Sequence, residues 1–448
     1  MLAWCKAESE GCEDAVKPIL MVAFHYPPCR GSSGLQRTLS FSRYLLREGW
    51  QPVVLTVKPG VHSQTSQDQL DDIDAGVQVA RSFALDTKRD LGFRGRYLQW
   101  LALPDFWVSW FFWAVPLGLR LVRKYKPKVI WSTYPIATAH LIALALHRLT
   151  GIPWVADFRD PMIEINPVSG QRRPADRSSW RIWNLLERLT IKYCCRAVFT
   201  TEGSLRIYAD RYPNVPSSRW IIIPNGYEEG HFVEAEKLAS GRSAEKTRTV
   251  LLHSGVLYYS ADRDPTAFFS ALARLRRECK ISPATLRVIL RASGYESDYR
   301  TLIRKYGIDD IVFLEPAIPY RDALAEMLSA DGLLVFQGYT SNPAIPAKVY
   351  EYLRARRPIF ALVDSEGDTA KLLKDAGVGT IVPLDSEEHI AKGLLEFLQL
   401  IRDVRAPVLN PGAVKCYARE FQAQRLARLL NTIGGDSIPA RVAEDVYD

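Results

Sequence analysis

The sequence DGLLVFQGYTSNPAIPAKVYEYLRARRPIFALVD, residues 331–364, contains two short apolar runs separated by a polar loop and an amphipathic segment. The apolar runs, 333–336 and 359–363, are typical of buried parallel strands, and a helix is predicted from Ala347 to just before Pro358. The polar residues 337–346 then form a loop at the carboxyl end of the first strand, which is where open α/β sheets bind ligands. The stretch therefore predicts a βαβ unit with a ligand site on its loop.

The start of this helix has the features of an anion site. Pro346 suits the first turn of a helix, and the amides that follow it, beginning at Ala347, have no partners within the helix. Together with the helix dipole and Lys348 they would attract a phosphate. Glu351 lies one turn further on the same face, where its carboxylate could accept hydrogen bonds from a ribose diol. The alternative is an ordinary solvated helix face, on which Lys–Glu pairs at this spacing are common.

The composition is that of a globular cytoplasmic protein. A chain of 448 residues is long enough for two or three domains. Its seven cysteines are scattered without metal-binding spacing, which indicates free thiols in a reducing compartment. The first residues contain no apolar segment of the kind found in a secretory signal.

The net charge of +8 is concentrated in one segment, residues 81–128, which contains ten Lys and Arg residues against three Asp. These cations flank several large aromatic residues, namely Trp100, Phe106, Trp107, Trp110, Phe111, Phe112 and Trp113. Trp and Phe beside Lys and Arg favour peripheral contact with an anionic membrane over contact with nucleic acid. The longest uncharged run, 106–119, is shorter than the roughly 20 residues that a membrane span needs. The alternative is that these aromatics form the internal face of a helix.

The first half of the chain begins with a strand–loop–helix–strand pattern. An apolar strand at 19–24 is followed by a loop containing GSSG, from Gly31 to Gly34, then by a helix from Leu35 and a second strand at 52–57. This loop is not GxGxxG and no acidic residue ends the second strand, which argues against a nicotinamide cofactor. The glycines would instead let backbone amides approach a phosphate or a sugar.

Charged residues end a later strand. The apolar run 153–156 leads directly into Asp157, Arg159 and Asp160. Three charges at the carboxyl end of a strand predict a site. A structural Asp–Arg pair at a turn is the alternative.

A DxD sequence occurs at Asp72 and Asp74. A different class of sugar transferases holds a divalent metal with such a motif, which should follow an apolar strand. Here it follows QTSQDQL, so we interpret it as coincidence and predict no metal site.

Changes in composition predict the domain organisation. Residues 234–249 are charged and lack an apolar face, which indicates a linker. We expect a tail at 1–17, a first domain at 18–233, a second at 250–410, and a helix within 411–434 that packs back on the first domain. Residues 435–448 are expected to fray.

Four phrases, in order, resemble glycosyltransferase family 4, specifically its bacterial surface-polysaccharide members. They are PWVADFRDP (153–161), IIPNGYEEGHF (222–232), HSGVLYYSADRDP (253–265) and IPAKVYEYL (345–353). The resemblance implies an α/β fold of the GT-B type, with two Rossmann-like doubly wound domains facing a cleft and a C-terminal helix crossing back. It implies a retaining, metal-independent enzyme without a cofactor. Such an enzyme moves a sugar from a UDP- or GDP-linked donor to a saccharide or lipid-linked acceptor.

The resemblance also implies roles for individual residues. The catalytic residues would be Arg159, Arg263 and Lys348. Donor binding would fall to Gly31, Gly34, Gly255, Gly294, Pro346, Ala347 and Glu351. Asp157 and Asp160 would lie on the acceptor and sugar side.

One position departs from the family pattern. The family has a pair of glutamates separated by seven residues, which should fall at positions 343 and 351. Glu351 stands at the second position, but Pro343 stands at the first. Two other functions therefore stay open: a nucleotide-sugar epimerase of the same fold, and a catalytically silent GT-B module that acts in assembly. Release of nucleoside diphosphate only in the presence of acceptor would distinguish the transferase from both.

Overall fold

Runs of apolar residues form the strands of two parallel sheets, which helices cover. The structure, a computed structural model, describes residues 16–29, 33–67, 69–94, 96–165, 170–240, 248–258 and 262–434. In chain order the strands are β1 (Lys17–Val22), β2 (Trp50–Val57), β3 (Gln78–Ser82), β4 (Val129–Thr133), β5 (Trp154–Arg159), β6 (Glu164–Ile165), β7 (Arg172–Arg173), β8 (Arg196–Phe199), β9 (Trp220–Ile222), β10 (Thr249–Ser254), β11 (Leu286–Arg291), β12 (Val312–Glu315), β13 (Gly332–Phe336), β14 (Ile359–Leu362) and β15 (Thr380–Val382).

The helices occupy most of the connections between these strands. They are α1 (Ser33–Tyr44), α2 (Thr87–Asp90), α3 (Trp110–Tyr125), α4 (Ala137–Thr150), α5 (Arg177–Tyr193), α6 (Glu202–Arg211), α7 (Glu229–Ser240), α8 (Thr266–Arg277), α9 (Glu296–Tyr306), α10 (Tyr320–Ser329), α11 (Ala347–Ala355), α12 (Asp368–Asp375), α13 (Glu387–Arg402), α14 (Pro411–Val414) and α15 (Arg419–Ile433). Short 3-10 helices include Gln99–Ala102, Tyr339–Ser341 and Lys415–Tyr417.

The strand orders are those of doubly wound sheets. The first sheet has seven strands in the order β3-β2-β1-β4-β5-β8-β9, and the second has six in the order β12-β11-β10-β13-β14-β15. Each places its first strand beside its fourth, so the connections run outward in opposite directions from that pair. The predicted α/β fold with two Rossmann-like sheets is confirmed.

The described residues form two compact units. One comprises the residues up to Val155 and those from Leu426 onward, and the other runs from Ala156 to Arg425. Within the first unit, the Trp50 indole donates a hydrogen bond of 3.2 Å to Asn431, so the end of α15 lies against β2.

The expected helix over residues 413–433 is wrong as a single element. A helical turn at α14 and a 3-10 turn precede Ala418, which has extended backbone, and α15 begins only after it. The break has a tertiary cause, because Tyr227 pairs with this segment. Its amide donates to the Tyr417 carbonyl (3.1 Å), and its carbonyl accepts from the Arg419 amide (2.9 Å).

The stretch expected as a linker is partly helical. Helix α7 extends to Ser240, and it buries Phe232 and Ala235 although the residues from Glu234 onward have no apolar face in sequence. Residues 241–247 lie outside the described residues, as do 1–15 and 435–448.

Two further features concern the expected environment of the protein. The cysteines that the structure describes, Cys29, Cys194, Cys195, Cys279 and Cys416, are free thiols. No helix in the described ranges is both long and apolar enough to span a bilayer.

Candidate active site

Two loops of the second sheet begin side by side at its topological switch point. β10 pairs with β11 on one side and with β13 on the other. Because the connections after β10 and β13 diverge, their starts form a crevice at the carboxyl ends of these strands. The loop after β10 begins at Gly255, and the loop after β13 begins at Gln337 and leads into α11.

His253, near the end of β10, is fixed on both ring nitrogens. Its Nδ1 lies 2.8 Å from the carbonyl oxygen of Leu334 on β13, so this nitrogen carries the proton and donates it. Its Nε2 lies 3.1 Å from the Lys348 ammonium and accepts from it. The ring is fully buried and packs edge-on against Phe336. Burial and then the charge of Lys348 hold the pKa of His253 well below its usual range, so the imidazole is neutral.

Lys348, on the first turn of α11, is the charged end of this arrangement. Burial and then the neighbouring Arg263 guanidinium lower the pKa of Lys348 to about 7, against an opposing effect of Glu351. The lysine is therefore poised between its charged and neutral forms near neutral pH. An arriving anion would favour the charged form.

Gly255 is required by the position of this lysine. It has φ of +111°, a conformation that L side chains rarely adopt, and a Cβ at this position would lie 2.9 Å from the Lys348 Nζ. Its amide donates to the Arg291 carbonyl (2.8 Å). Gly294, with φ of +65°, turns the chain after β11, and its amide donates to Glu296 (3.0 Å). The two predicted glycines thus shape adjacent turns.

Arg263 lies on the loop after β10, beside Tyr258. Its guanidinium carbon is 5.1 Å from the centre of the Tyr258 ring, a cation–π arrangement. Its Nε is buried and has no hydrogen-bond partner among the described residues. The preceding residue, Asp262, accepts at its carbonyl from the Gly338 amide and at its carboxylate from the Thr340 hydroxyl, both at 2.5 Å. The Arg263 loop is therefore tied to the loop after β13.

Gln337 holds that second loop in shape. Its side-chain amide donates to the carbonyls of Ser341 (2.6 Å) and Ala344 (2.8 Å), and its oxygen accepts from the Thr369 hydroxyl (2.6 Å). Because the amide spans the loop, the chain reaches Pro346 with a defined direction.

Helix α11 starts as expected. Pro346 is its N-cap with extended backbone, and Ala347 is its first residue. The Val349 amide bonds back to the Pro346 carbonyl at 2.9 Å. The amides of Ala347 and Lys348 have no acceptor within the helix, which leaves donors directed at the crevice.

Glu351 is positioned by a tyrosine from another helix. The Tyr320 hydroxyl donates to its Oε1 at 2.6 Å. Burial, and then the charge of Glu351, raise the pKa of Tyr320 well above its usual range, so the phenol stays protonated and donates. One residue further along α11, the Tyr352 hydroxyl accepts from the Ser254 amide (3.0 Å). The helix carrying Lys348 and Glu351 is thus joined to β10.

Asp157, Arg159 and Asp160 lie at the end of β5 in the first sheet. Asp157 and Arg159 are buried. Arg159 has φ of +60°, which is strained for a non-glycine residue. Its carbonyl accepts from the Thr200 hydroxyl at 2.9 Å, which helps to hold the turn. The chain then reverses, with the Asp160 amide 2.7 Å from the Phe158 carbonyl.

A carboxylate that sequence reasoning missed connects these two loop regions electrostatically. Burial raises the pKa of Glu164 above its usual range, Arg173 opposes this, and the charges of Asp160 and Asp262 raise it further. Charges from the end of β5 and from the Arg263 loop therefore act on one carboxyl group.

Pro343 is closely packed, and its carbonyl oxygen accepts hydrogen bonds from α6 and the residue before it. Its oxygen accepts from the hydroxyls of Thr201 (2.5 Å) and Ser204 (3.2 Å). A Cβ on Gly203 would lie 2.7 Å from the Pro343 Cα and 3.0 Å from its Cβ. The glutamate expected from the family pattern is thus replaced by a residue that packs against the start of α6.

The remaining predicted positions lie at the first sheet. Gly34 is buried near the start of α1, where its carbonyl accepts from the Thr38 hydroxyl (3.2 Å). Gly31 lies outside the described residues. Asp72 and Asp74 lie in turns before β3. Within the ranges that the structure describes, no group of three or more His, Cys, Asp or Glu residues is arranged to hold a metal ion.

The positioning residues His253, Tyr320 and Gln337 were not predicted as part of a site. His253 carried a signal, since it is a polar side chain inside the apolar run of a buried strand, where an unpaired imidazole would be costly. Tyr320 and Gln337 carried none, because their partners are set by tertiary packing.

The comparisons with known proteins agree with this architecture. Residues 34–226 match the family model described as "Glycosyl transferase 4-like domain". None of the curated proteins matches the sequence.

Several solved structures share the fold. A glycosyltransferase from Rickettsia africae ESF-5 has a TM-score of 0.61 and 10% identity, over 94% of this chain and 99% of that one. HepE from Anabaena, in complex with UDP and glucose, has a TM-score of 0.56 and 14% identity, over 94% and 97%. An α,α-trehalose-phosphate synthase (UDP-forming) from Burkholderia xenovorans, in complex with glucose-6-phosphate, has a TM-score of 0.63 and 14% identity, over 93% and 100%.

At these identities the structural likeness shows the fold, while the domain match is a finding from the sequence itself. The two sheets of Rossmann order and the structural likeness show a GT-B fold, and residues 34–226 of the chain match a glycosyl transferase 4-like domain.

Proposed function

We propose that the protein is a retaining glycosyltransferase that moves a sugar from a nucleotide-sugar donor to a hydroxyl of a saccharide or lipid-linked saccharide. The observation that carries the proposal is the Lys348 ammonium at the start of α11, held 3.1 Å from the neutral His253 with Arg263 nearby. Two cations and a helix N-terminus at a switch point are suited to a diphosphate.

In the proposed reaction, the bond between the anomeric carbon and the diphosphate oxygen breaks, and negative charge develops on the leaving group. Arg263, Lys348 and the amides at Ala347 stabilise that charge without reorganising, which is how preorganised donors lower a barrier. The acceptor hydroxyl forms the new bond on the same face of the sugar. Its proton passes to the departing phosphate oxygen, so no side-chain base is required.

Glu351 binds the ribose of the donor. Its Oε1 is occupied by the Tyr320 hydroxyl, which leaves the second carboxylate oxygen for a ribose hydroxyl. Gly255 and Gly294 supply the close backbone approach that a nucleotide needs. HepE, solved with UDP and glucose, and the UDP-forming trehalose-phosphate synthase favour UDP among the possible nucleotides, with GDP as the alternative.

The sugar and acceptor side is assigned to Arg159, Asp157 and Asp160. Arg159 is held by a strained turn, and strain of this kind clusters at functional positions. The packed Pro343 takes no polar part in sugar recognition, so selection among sugars depends on the residues after β5.

We propose that catalysis is metal-independent, since the cations of Arg263 and Lys348 supply the positive charge that a metal would otherwise provide. We further propose that the enzyme acts in bacterial polysaccharide synthesis as a cytoplasmic protein, peripheral on the inner face of the cell membrane.

A thermal-shift screen of UDP-, GDP- and ADP-sugars, with and without EDTA, tests the donor. A bound donor at 100 times its Kd should add about 2.7 kcal/mol to the free energy of unfolding. We expect sugars of one nucleotide class to stabilise the protein. EDTA should leave this stabilisation unchanged, and Lys348→Ala should reduce it. Stabilisation that only Mg²⁺ or Mn²⁺ restores after EDTA would contradict metal independence.

The product distinguishes the activities. Nucleoside diphosphate released only with acceptor, and a glycoside of unchanged anomeric configuration by NMR, is expected of a retaining transferase. Interconversion of donor sugars without acceptor would indicate an epimerase instead. Donor binding with no turnover for any acceptor would indicate a silent module.

A further inference from the structure

Large aromatic and aliphatic side chains are exposed together in one part of the first sheet's unit. Trp110 is fully buried and Trp107 is half-buried, so part of the aromatic segment belongs to the core. Its other members are open to solvent: Phe93 is 76% exposed, Phe112 69% and Trp100 67%. Side chains of this size rarely stay exposed in a cluster unless the surface binds something.

These exposed residues lie on segments that pack against one another. The Phe83 and Trp113 rings are 4.9 Å apart, so the residue that follows β3 contacts α3. The Tyr97 and Phe106 rings are 5.6 Å apart. Thr87 joins the remaining parts, because its amide donates to the Phe106 carbonyl at 2.9 Å and its hydroxyl to the Leu101 carbonyl at 2.7 Å. We call the exposed apolar residues on these joined segments the aromatic surface: Phe83, Leu91, Phe93, Tyr97, Leu98, Trp100, Phe106, Phe112 and Trp113.

Helix α3 continues this surface with positive charge. Its exposed residues are Phe112, Trp113, Pro116, Arg120, Arg123 and Lys124. At about 100° per residue these six positions fall within about 120° of the helix circumference, and they extend for roughly 18 Å along its axis. The aromatics occupy the first half of this stripe and the cations the second. A helix with one apolar and cationic face is typical of proteins that lie on a membrane surface.

The nearby acidic groups do not cancel this charge. Asp105 is half-buried and accepts from the Thr138 amide and hydroxyl. Asp86 accepts from the amides of α2 as its N-cap. Asp90 forms an ion pair with Arg89 at 2.7 Å. The cations of the α3 stripe therefore face solvent without an acidic neighbour on that stripe.

We propose that the aromatic surface and the α3 stripe dock the enzyme on an anionic lipid bilayer. Trp and Phe side chains enter the headgroup region while Arg120, Arg123 and Lys124 pair with lipid phosphates. This inference rests on the proposed function in one respect, namely that a lipid-linked acceptor is presented at that surface. The exposed Phe and Trp side chains favour a bilayer over a double-stranded nucleic acid, whose binding depends on cations rather than on apolar side chains.

Co-sedimentation with vesicles of phosphatidylcholine, with and without phosphatidylglycerol, tests the docking. We expect binding to the anionic vesicles at low salt and release at high salt, because the Debye length falls from about 10 Å at 0.1 M to about 3 Å at 1 M. Each cation near an anionic surface contributes about fivefold to affinity, so the triple variant Arg120→Glu, Arg123→Glu, Lys124→Glu should lose about a hundredfold or more. The double variant Trp100→Ala, Phe112→Ala should lose the part of vesicle binding that is insensitive to salt, because that part comes from apolar contact with the bilayer.

Matched controls come from elsewhere on the surface. Leu149, on α4, is 64% exposed, and Leu149→Ala should leave vesicle binding unchanged. Arg300→Glu with Arg304→Glu, on the exposed face of α9, should also leave it nearly unchanged. Wild-type protein that stays in the supernatant with anionic vesicles at low salt would overturn the inference, as would equal losses in the control variants. Binding to oligonucleotides but not to vesicles would assign the cations to nucleic acid and also overturn it.

Donor binding keeps this test separate from the proposed function. The thermal shift produced by the nucleotide sugar should be the same in wild type and in the triple α3 variant. The three substituted residues belong to a different compact unit from α11. Loss of vesicle binding with donor binding intact supports docking by α3. Absence of vesicle binding by wild type with normal donor binding removes the docking alone, and absence of donor binding removes the proposed function alone.

Discussion

The two sheets have equivalent switch points, but the side chains at these points differ in chemistry. In the second sheet, the strand pair β10–β13 ends in the Lys348–His253 pair with Arg263 nearby. In the first sheet, the pair β1–β4 is followed by aromatic and imidazole rings. Both sheets place their first strand beside their fourth, so strand order alone does not determine what either crevice binds.

The rings after β1 form a compact cluster. Phe24 lies 5.3 Å from both His25 and His62 and 4.7 Å from Trp107, measured between ring centres. Burial, and then the positive charge of Arg81, lower the pKa of His62 to about 4. The His62 imidazole is therefore neutral at neutral pH, and we infer that it suits contact with an uncharged ring of a ligand rather than with phosphate.

The two switch points thus share one topology but differ in the chemistry of their side chains. At β10 the Lys348 ammonium is directed by the buried imidazole of His253, whereas at β1 the Phe24 ring packs against imidazole and indole rings. Variants at the two switch points should accordingly affect different substrates.

The largest effect is expected for Lys348→Ala. The ammonium meets charge that grows as the donor bond breaks, so its loss should lower kcat by about a hundredfold or more, the scale of a single preorganised donor. Donor-saturation kinetics measure it. Lys305→Ala, an exposed lysine on α9, is the matched control and should leave kcat unchanged.

His62→Ala sharpens the comparison between the crevices. It should leave donor Kd unchanged and alter only saturation by acceptor. An equal loss of donor affinity in His62→Ala and Lys348→Ala would break the division between a phosphate-binding crevice and a ring-binding one.

The pH dependence of donor binding should be nearly as large. Lys348 has a pKa of about 7 in the free protein, lowered by burial and by Arg263, and only its charged form attracts the diphosphate. Binding raises that pKa, so donor affinity is full below pH 7 and falls by up to tenfold per pH unit as the pH rises above 7. Calorimetry in buffers of different ionisation enthalpy should detect proton uptake on binding between pH 7 and 8.5.

Lys348→Arg provides the control for this effect, because a guanidinium stays charged throughout the range. Donor affinity in this variant should vary little between pH 7 and 9. If the wild-type protein binds donor without proton uptake, Lys348 is already fully charged and the assigned role of its burial is wrong.

Much of the fold could be predicted from the sequence, because apolar runs, and the Gly, Pro and polar residues that end them, are local signals. The run 333–336 corresponds to β13 (Gly332–Phe336), and the helix predicted from Ala347 corresponds to α11. The anion-site features of α11 were local too, since Pro346, Ala347 and Lys348 are consecutive. The interruption at Ala418 could not be predicted, because it depends on pairing with Tyr227, which is distant in sequence.

The positioning contacts of the site were hidden for the same reason. His253 and Lys348 are 95 residues apart in sequence, and Tyr320 and Glu351 are 31 apart. Neither separation corresponds to a sequence motif that would identify the two residues as contact partners. Only the folded β10–β13 neighbourhood brings the imidazole beneath the ammonium, so the lowered pKa of Lys348 is a consequence of tertiary structure.

Glu351→Ala should raise donor KM by about tenfold while kcat changes less. The ribose does not change during the reaction, so its hydrogen bond contributes equally to the ground state and the transition state. A charge-assisted hydrogen bond of about 1.5 kcal/mol corresponds to this factor. Initial rates over a range of donor concentrations measure it, and an unchanged KM would remove Glu351 from the nucleotide site.

His253→Asn should have a several-fold effect on kcat. Asparagine can keep the donor to the Leu334 carbonyl but places no acceptor at the position of Nε2, so the ammonium is retained but no longer directed. His253→Gln, whose side-chain oxygen reaches the Nε2 position, should recover part of the loss. If His253 had only a structural role, both variants would have equally lowered melting temperatures and an unchanged pH dependence of donor binding. If His253 directs the Lys348 ammonium, the pH dependence of donor binding should shift in His253→Asn alone.

The smallest effect is expected for Tyr320→Phe, and it tests whether the donor crevice is preorganised beyond the residues that touch the ligand. The variant keeps the buried ring and removes only the hydroxyl that donates 2.6 Å to Glu351. Glu351 retains its charge but loses the contact that fixes its rotamer, so donor KM should rise by about threefold, with kcat unchanged. Because the two residues act in sequence, the Tyr320→Phe change should have no further effect on KM in a Glu351→Ala background. Additive effects in that double variant would mean that Tyr320 acts on the donor independently, and the ribose would then be held by two elements of the second sheet rather than by α11 alone.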